Sequence, residues 1–239
     1  MKNRFVLVNK LPLGILTHVA TLFERDRDLI NATAVCQFWR NTLLSYPRLW
    51  CNASGSRSKI QAYIQRSQSI PLYVDLSDPS LVDLIDPHAS RLAGLTVFLG
   101  KSSKLNQFFE HLHRPTPMLH TLGISAAPSH PHPLEFPSGP DDPFFLHSKK
   151  LEFYGISKFL GFQTFPSVTE FTWHTSYSCN VKIPDLLELL ERLPLLERVH
   201  IVFCLDASLD TSPYKLVTLP HVQEMSLRSE ERRVGKECW

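Results

Sequence analysis

Cysteine, glycine and any excess of one charge are what this chain is short of. Five cysteines are scattered over 239 residues with no Cys-x-x-Cys pair. Structural disulfides are not expected in a reducing compartment, and thiols packed as small apolar side chains are. Nine glycines leave little for phosphate-cradling loops, and there is no Walker loop, Gly-x-Ser-x-Gly elbow or His-Glu-x-x-His pair. Lys and Arg number 25 against 23 Asp and Glu, a formal net charge of +2. That is too small an imbalance for a nucleic-acid binder, and no basic stripe precedes the last dozen residues. No apolar run approaches the roughly 20 residues that span a bilayer. The run Phe5–Val8 is shorter than the roughly 7–15 residues of a secretory signal core. An intracellular chain, in cytoplasm or nucleus, is expected, and the sequons at Asn31 and Asn52 then stay unmodified.

Catalytic and metal chemistry find no support either. His111 and His113 sit two apart on a helix suggested by Phe108, Phe109 and Leu112, so they point different ways. His130 and His132 lie in a proline-rich stretch without a nearby cysteine or carboxylate pair, whereas zinc takes four convergent ligands. Asp141-Asp142, flanked by Pro140 and Pro143, reads as a turn. The expectation is no enzyme, no cofactor and no metal site.

What is present is patterned apolar sequence, at 43% of the chain, enough for a sizeable core. Leu29, Ala32, Cys36, Trp39 and Leu43 step by three and four, the face of one long helix. Asp26 and Asp28 favour its start, and Tyr46-Pro47 ends it. Ahead of it, Pro12 opens a shorter helix carrying Ile15, Leu16 and Val19. Asn52–Ser58, polar and small, reads as a linker. Ile60, Tyr63 and Ile64 predict a helix stopping near Ser69, and Leu72, Val74 and Leu76 a strand.

From there an apolar-x-x-apolar-x-apolar template recurs. It appears at Leu92/Leu95/Val97, Leu119/Leu122/Ile124, Val168/Phe171/Trp173, Leu196/Val199/Ile201 and Val222/Met225/Leu227, with a weaker copy at Ser148/Leu151/Phe153. Spacings of 20 to 29 residues match a leucine-rich-repeat period, and Pro117, Pro166, Pro194 and Pro220 precede four of the copies. Only Cys204 supplies the polar turn residue of that template; Gly100, Ala127, Ile156 and Ser176 stand at the other places. Ile183 to Leu193 predicts an amphipathic helix through Leu186, Leu187, Leu190 and Leu193. Eight prolines between Pro115 and Pro143 predict an extended loop without helix or central strand. Phe171 and Trp173 share a strand face and are expected in the core, with Thr172 and His174 projecting outward.

Residues 8–52 resemble the F-box, whose pattern is roughly Leu-Pro-x-Glu-Ile-Leu, then Val-Cys-x-x-Trp, then Pro-x-Leu-Trp. The matching residues are Leu11, Pro12, Ile15, Leu16, Val19, Leu29, Val35, Cys36, Trp39, Pro47, Leu49 and Trp50; Gly14 replaces the usual acidic residue and Ala20 the usual Phe. The resemblance implies a docking surface for a Skp-family adaptor at Leu11, Pro12, Ile15, Leu16, Val19, Val35, Cys36, Trp39, Leu49 and Trp50. Through that adaptor it implies a cullin–RING ubiquitin ligase, with an unknown protein substrate and neither nucleic acid nor membrane as partner. The expected fold class is α+β or α/β: a three-helix F-box over 8–52, a linker and helix over 53–70, and a leucine-rich-repeat-like solenoid over 71–227 that holds the substrate. Residues 228–238 can be back-translated to codons that resemble a widely used sequencing-library adapter, so a non-native tail over 228–239 and a truncated array are expected. A ligase-independent repeat protein, or a degenerate gene copy, are the alternatives.

Overall fold

The computed structural model describes residues 11–100, 105–112, 114–127, 134–135, 147–156, 159–160, 164–175, 180–181, 183–205 and 216–229. The chain divides into two compact units, Met1–Tyr73 and Val74–Trp239.

The first unit is largely helical. Helices α1 (Leu13–Thr21), α2 (Asp26–Thr33) and α3 (Gln37–Leu44) are followed by a 3-10 turn at Pro47–Trp50, strand β1 (Asn52–Ser54) and helix α4 (Arg57–Arg66). The single helix predicted through Trp39 is broken in two. After Thr33 the N–H groups of Ala34 and Val35 turn back to Asn31 and Ala32, and Cys36 is fully extended at φ −161°, ψ 171°. The side chain of Arg40 bridges the break, its Nε donating to the Thr33 carbonyl at 3.0 Å. β-Branched Thr33 and Val35 bracket the break, residue types that lose side-chain freedom in a helix. The predicted linker is also corrected: Asn52–Ser54 is a strand with Ala53 buried. Its short side chains suit an extended backbone beside β2, where Tyr73 N–H donates to the Cys51 carbonyl at 2.9 Å. Helix α4 forms as its apolar spacing predicts, burying Ile60, Tyr63 and Ile64.

Strand β2 (Leu72–Leu76) buries Leu72, Val74 and Leu76 in strict alternation. Beyond it lie α5 (Val82–Ile85), β3 (Leu92–Leu99), α6 (Leu105–Glu110), β4 (Thr121–Ala126), β5 (Leu134–Glu135), β6 (Lys150–Tyr154), β7 (Phe159–Leu160), β8 (Glu170–His174), β9 (Asn180–Val181), α7 (Ile183–Glu191), β10 (Arg198–Leu205) and β11 (Glu224–Ser229). The main sheet runs β1-β2-β3-β4-β6-β8-β10-β11, with β9 beside β10, while β5 and β7 make a separate two-stranded sheet. From β3 to β11 each neighbouring pair is parallel.

This architecture overturns the expected three-helix module plus leucine-rich-repeat solenoid: the chain is an α/β protein organised by one long parallel sheet. The recurring template specifies a strand buried on one face, followed by a crossover to a parallel neighbour. A continuous parallel α/β sheet satisfies that pattern as well as a solenoid does. The sheet also takes in β1 and β2, which lie outside the repeating copies.

The register aligns the apolar copies into two inward rows. Leu95, Leu122, Leu151, Phe171, Val199 and Met225 form one, and Val97, Ile124, Phe153, Trp173, Ile201 and Leu227 the other. All are buried except on β11, where Met225 and Leu227 remain 48% and 54% exposed. Helix α7 buries Leu186, Leu189 and Leu190, with Leu189 in place of the predicted Leu187. The stretch predicted as proline loop contains central strand β4; its prolines flank the strand at Pro115, Pro117 and Pro128 and leave every ladder N–H in place. Strand β11 continues to Ser229, with Arg228 opposite Val202, so the boundary expected at 228 falls inside an element. Residues 230–239, His113, His130 and His132 lie outside the described residues, as do Asp141, Asp142 and Ser176.

Candidate docking surface

Helix α1 has two apolar faces. Leu16 and Ala20 point inward and are almost fully buried. Ile15, Val19 and Leu22, spaced by four and three on another face, are exposed, Ile15 by 50%. Leu13 on the same helix, Ile30 on α2, Val35 between α2 and α3 (52% exposed) and Phe38 on α3 are exposed as well. Seven large apolar side chains thus face solvent on helices that pack on one another, α1 and α2 each against α3. An isolated exposed Leu is ordinary, and this density in one small unit makes these helices the candidate docking surface.

The residues singled out from sequence separate into three groups. Pro12, Ile15, Val19 and Val35 are exposed. Leu11, Cys36, Trp39 and Leu49 are half-buried, and the indole N–H of Trp39 is buried without an acceptor among the described residues. Leu16 and Trp50 are interior, so they hold the unit together and present no surface to a partner. Leu13, Leu22, Ile30 and Phe38 escaped the sequence reading. Their signal is an apolar residue off the inward stripe, such as Ile30 beside buried Leu29.

Trp50 anchors this unit. Its Nε1–H donates to the Leu43 carbonyl at 2.9 Å, its ring meets Tyr63 edge-on at 5.1 Å, and the Arg66 guanidinium lies over it at 4.5 Å. Desolvation, and then the negative charge of Asp26, push the Tyr63 hydroxyl up to about 12. Asp26 on α2 also pairs with Lys59 on α4 at 2.5 Å. These contacts fix the helices that carry the exposed side chains.

Gly14 sits within α1, and no heavy atom lies within 4 Å of the position a Cβ would take. Gly14→Ala is therefore expected to stabilise the helix by up to about 1 kcal/mol through propensity alone. Urea denaturation should show a raised midpoint; an unchanged or lowered one would count against free space at this position.

The second unit presents a different surface. Facing away from the buried rows, Lys150, Glu170, Arg198 and Glu224 stand side by side across β6, β8, β10 and β11. Arg198 is paired with Glu170, and Lys150 with Glu152 at 2.6 Å. Farther along the strands lie His200, opposite Thr172, and then Tyr154 and His174, which stand opposite one another and stack at 5.3 Å. Phe171 and Trp173 are in the core and Thr172 and His174 outside, as the strand alternation predicts.

Among the described residues no group of three or more His, Cys, Asp or Glu side chains gathers as metal ligands, and no helix is long and apolar enough to cross a membrane. No protein-family pattern matches the chain, and no curated protein matches it.

Proposed function

We propose that this chain is the target-recruiting subunit of a Skp–cullin–F-box-type ubiquitin ligase, working inside the cell as a scaffold with no reaction of its own. The observation that carries this reading is the set of exposed apolar side chains on α1–α3. Ile15, Val19 and Val35 belong both to that set and to the F-box-like sequence pattern. In this reading Pro12, Ile15, Val19 and Val35 bury themselves on a Skp-family adaptor, half-buried Leu11, Cys36, Trp39 and Leu49 flank them, and the polar face of the sheet holds the target protein.

The test is co-purification with a co-expressed Skp-family adaptor. A charge on an apolar interface anchor costs roughly 2 kcal/mol or more of binding, so Ile15→Asp combined with Val35→Asp should abolish recovery. Both side chains are about half exposed, so the urea midpoint of the free chain should not move. Full recovery of the doubly substituted chain with the adaptor would overturn the reading.

A further inference from the structure

We propose that His174 and His200 form a two-imidazole site for a divalent transition-metal ion on the outer face of the sheet. The strands dictate the juxtaposition. On parallel β8 and β10, His174 stands opposite Val202 and His200 opposite Thr172, so the two histidines are diagonal neighbours on one face. Their ring centroids are 5.1 Å apart with planes inclined at 45°. A metal bound in the ring plane at about 2.1 Å from nitrogen lies about 3.2 Å from an imidazole centroid. Two imidazoles on a tetrahedral ion therefore have centroids about 5.2 Å apart, which is the separation observed.

Three further features favour the site. Neither ring hydrogen-bonds to a described residue, so nitrogens are left for a ligand. Tyr154 stacks on His174 at an interplanar angle of 27°, which limits ring rotation, and both histidines sit on strands, so little ordering is needed on binding. Both histidines are only half-buried on this outer face, so an ion can reach them from solvent. The other titratable groups on this face are occupied: Glu152 with Lys150, and Glu170 with Arg198. Tyr154 stands opposite His174 on β6, and Glu224 and Arg228 flank Ser226, which stands opposite His200 on β11. Imidazole selects Cu2+, Ni2+ and Zn2+ over Mg2+ and Ca2+. With two protein ligands, water completes the coordination, giving an open and exchangeable site unlike the closed four-ligand structural kind.

The experiment is a calorimetric titration of the full chain with Cu2+, paired with electron paramagnetic resonance. The unsubstituted chain should bind an ion through two imidazole nitrogens. His174→Gln and His200→Gln should each weaken that component by about tenfold or more and reduce the nitrogen count, and the pair together should remove it. His111→Gln and Tyr154→Phe should leave it intact. Lowering the pH through the imidazole range should release the ion. An isotherm and spectrum unchanged in the double His174→Gln, His200→Gln chain, with its circular dichroism also unchanged, would overturn the proposal, because the ion would then be held elsewhere.

Discussion

Gly155→Ala is expected to destabilise the second unit by about 3 kcal/mol or more. Gly155 follows β6 with φ +72°, a left-handed backbone that costs an L-residue roughly 1–2 kcal/mol. A Cβ there would also run into the carbonyl of Ala126, overlapping its oxygen and lying 3.3 Å from its carbon. Both obstacles are backbone, so no rotamer change relieves them. The segment cannot swing aside, because Gly155 N–H donates to the His174 carbonyl at 2.7 Å. Moving it would strip a hydrogen bond that joins the ends of two adjacent strands. Gly123→Ala is the informative comparison. Its Cβ would meet the Thr96 side chain, with Oγ1 at 2.9 Å, and a side chain can shift. Denaturant unfolding of both should rank Gly155→Ala well below Gly123→Ala; similar losses would show that the Ala126 carbonyl can yield.

Trp50→Ala should cost about 3–5 kcal/mol, the range for removing a large buried aromatic side chain. The indole is wholly buried and contacts the Tyr63 ring, so its loss opens a cavity between α4 and the 3-10 turn. It also leaves the Leu43 carbonyl, acceptor of the indole N–H, without its partner. Whole domains are stable by only about 5–15 kcal/mol, and this unit is small, so the helical signal of the first unit should be lost well below the melting temperature of the parent chain. Thermal unfolding followed by far-ultraviolet circular dichroism measures this. The outcome also separates two roles that the sequence pattern merges. A Trp50 that only touched a partner would leave the melting temperature unchanged on substitution.

That distinction explains what could be read before any coordinates. The strands at Leu72–Leu76 and at the six template copies are legible because alternation along a strand is a strong signal when one face is buried, as Phe171 and Trp173 against Thr172 and His174 illustrate. Helix α4 and the core role of Leu29 and Ala32 are legible for the same reason at helical period. The break at Cys36 is not: the apolar steps continue through it in sequence, with Leu29 and Ala32 buried on α2 and Leu43 on α3. Nor is β1, since Asn52-Ala-Ser carries no apolar alternation. The candidate site is legible only by composition. Interface and interior faces are both apolar, so Ile15 and Leu16 look equivalent in sequence, while one is half exposed and the other buried. The repeating template fixes parallel neighbours but is silent on the larger architecture they build, which is why a solenoid was the expectation and a continuous α/β sheet the result.

Strand order along the main sheet follows chain order, and successive paired positions from β3 to β11 lie 20 to 29 residues apart in sequence. Each new strand therefore closes a loop of nearly the same length onto its immediate predecessor, and the entropic charge for closure grows only logarithmically with that length. No step requires distant parts of the chain to find one another first. Assembly can begin at any adjacent pair and spread in both directions, and opening starts from the rim. The amides of β4 and β6, in the middle of the eight-strand row, become the slowest to exchange with solvent, and those of β11, with Met225 and Leu227 still open to water, among the fastest.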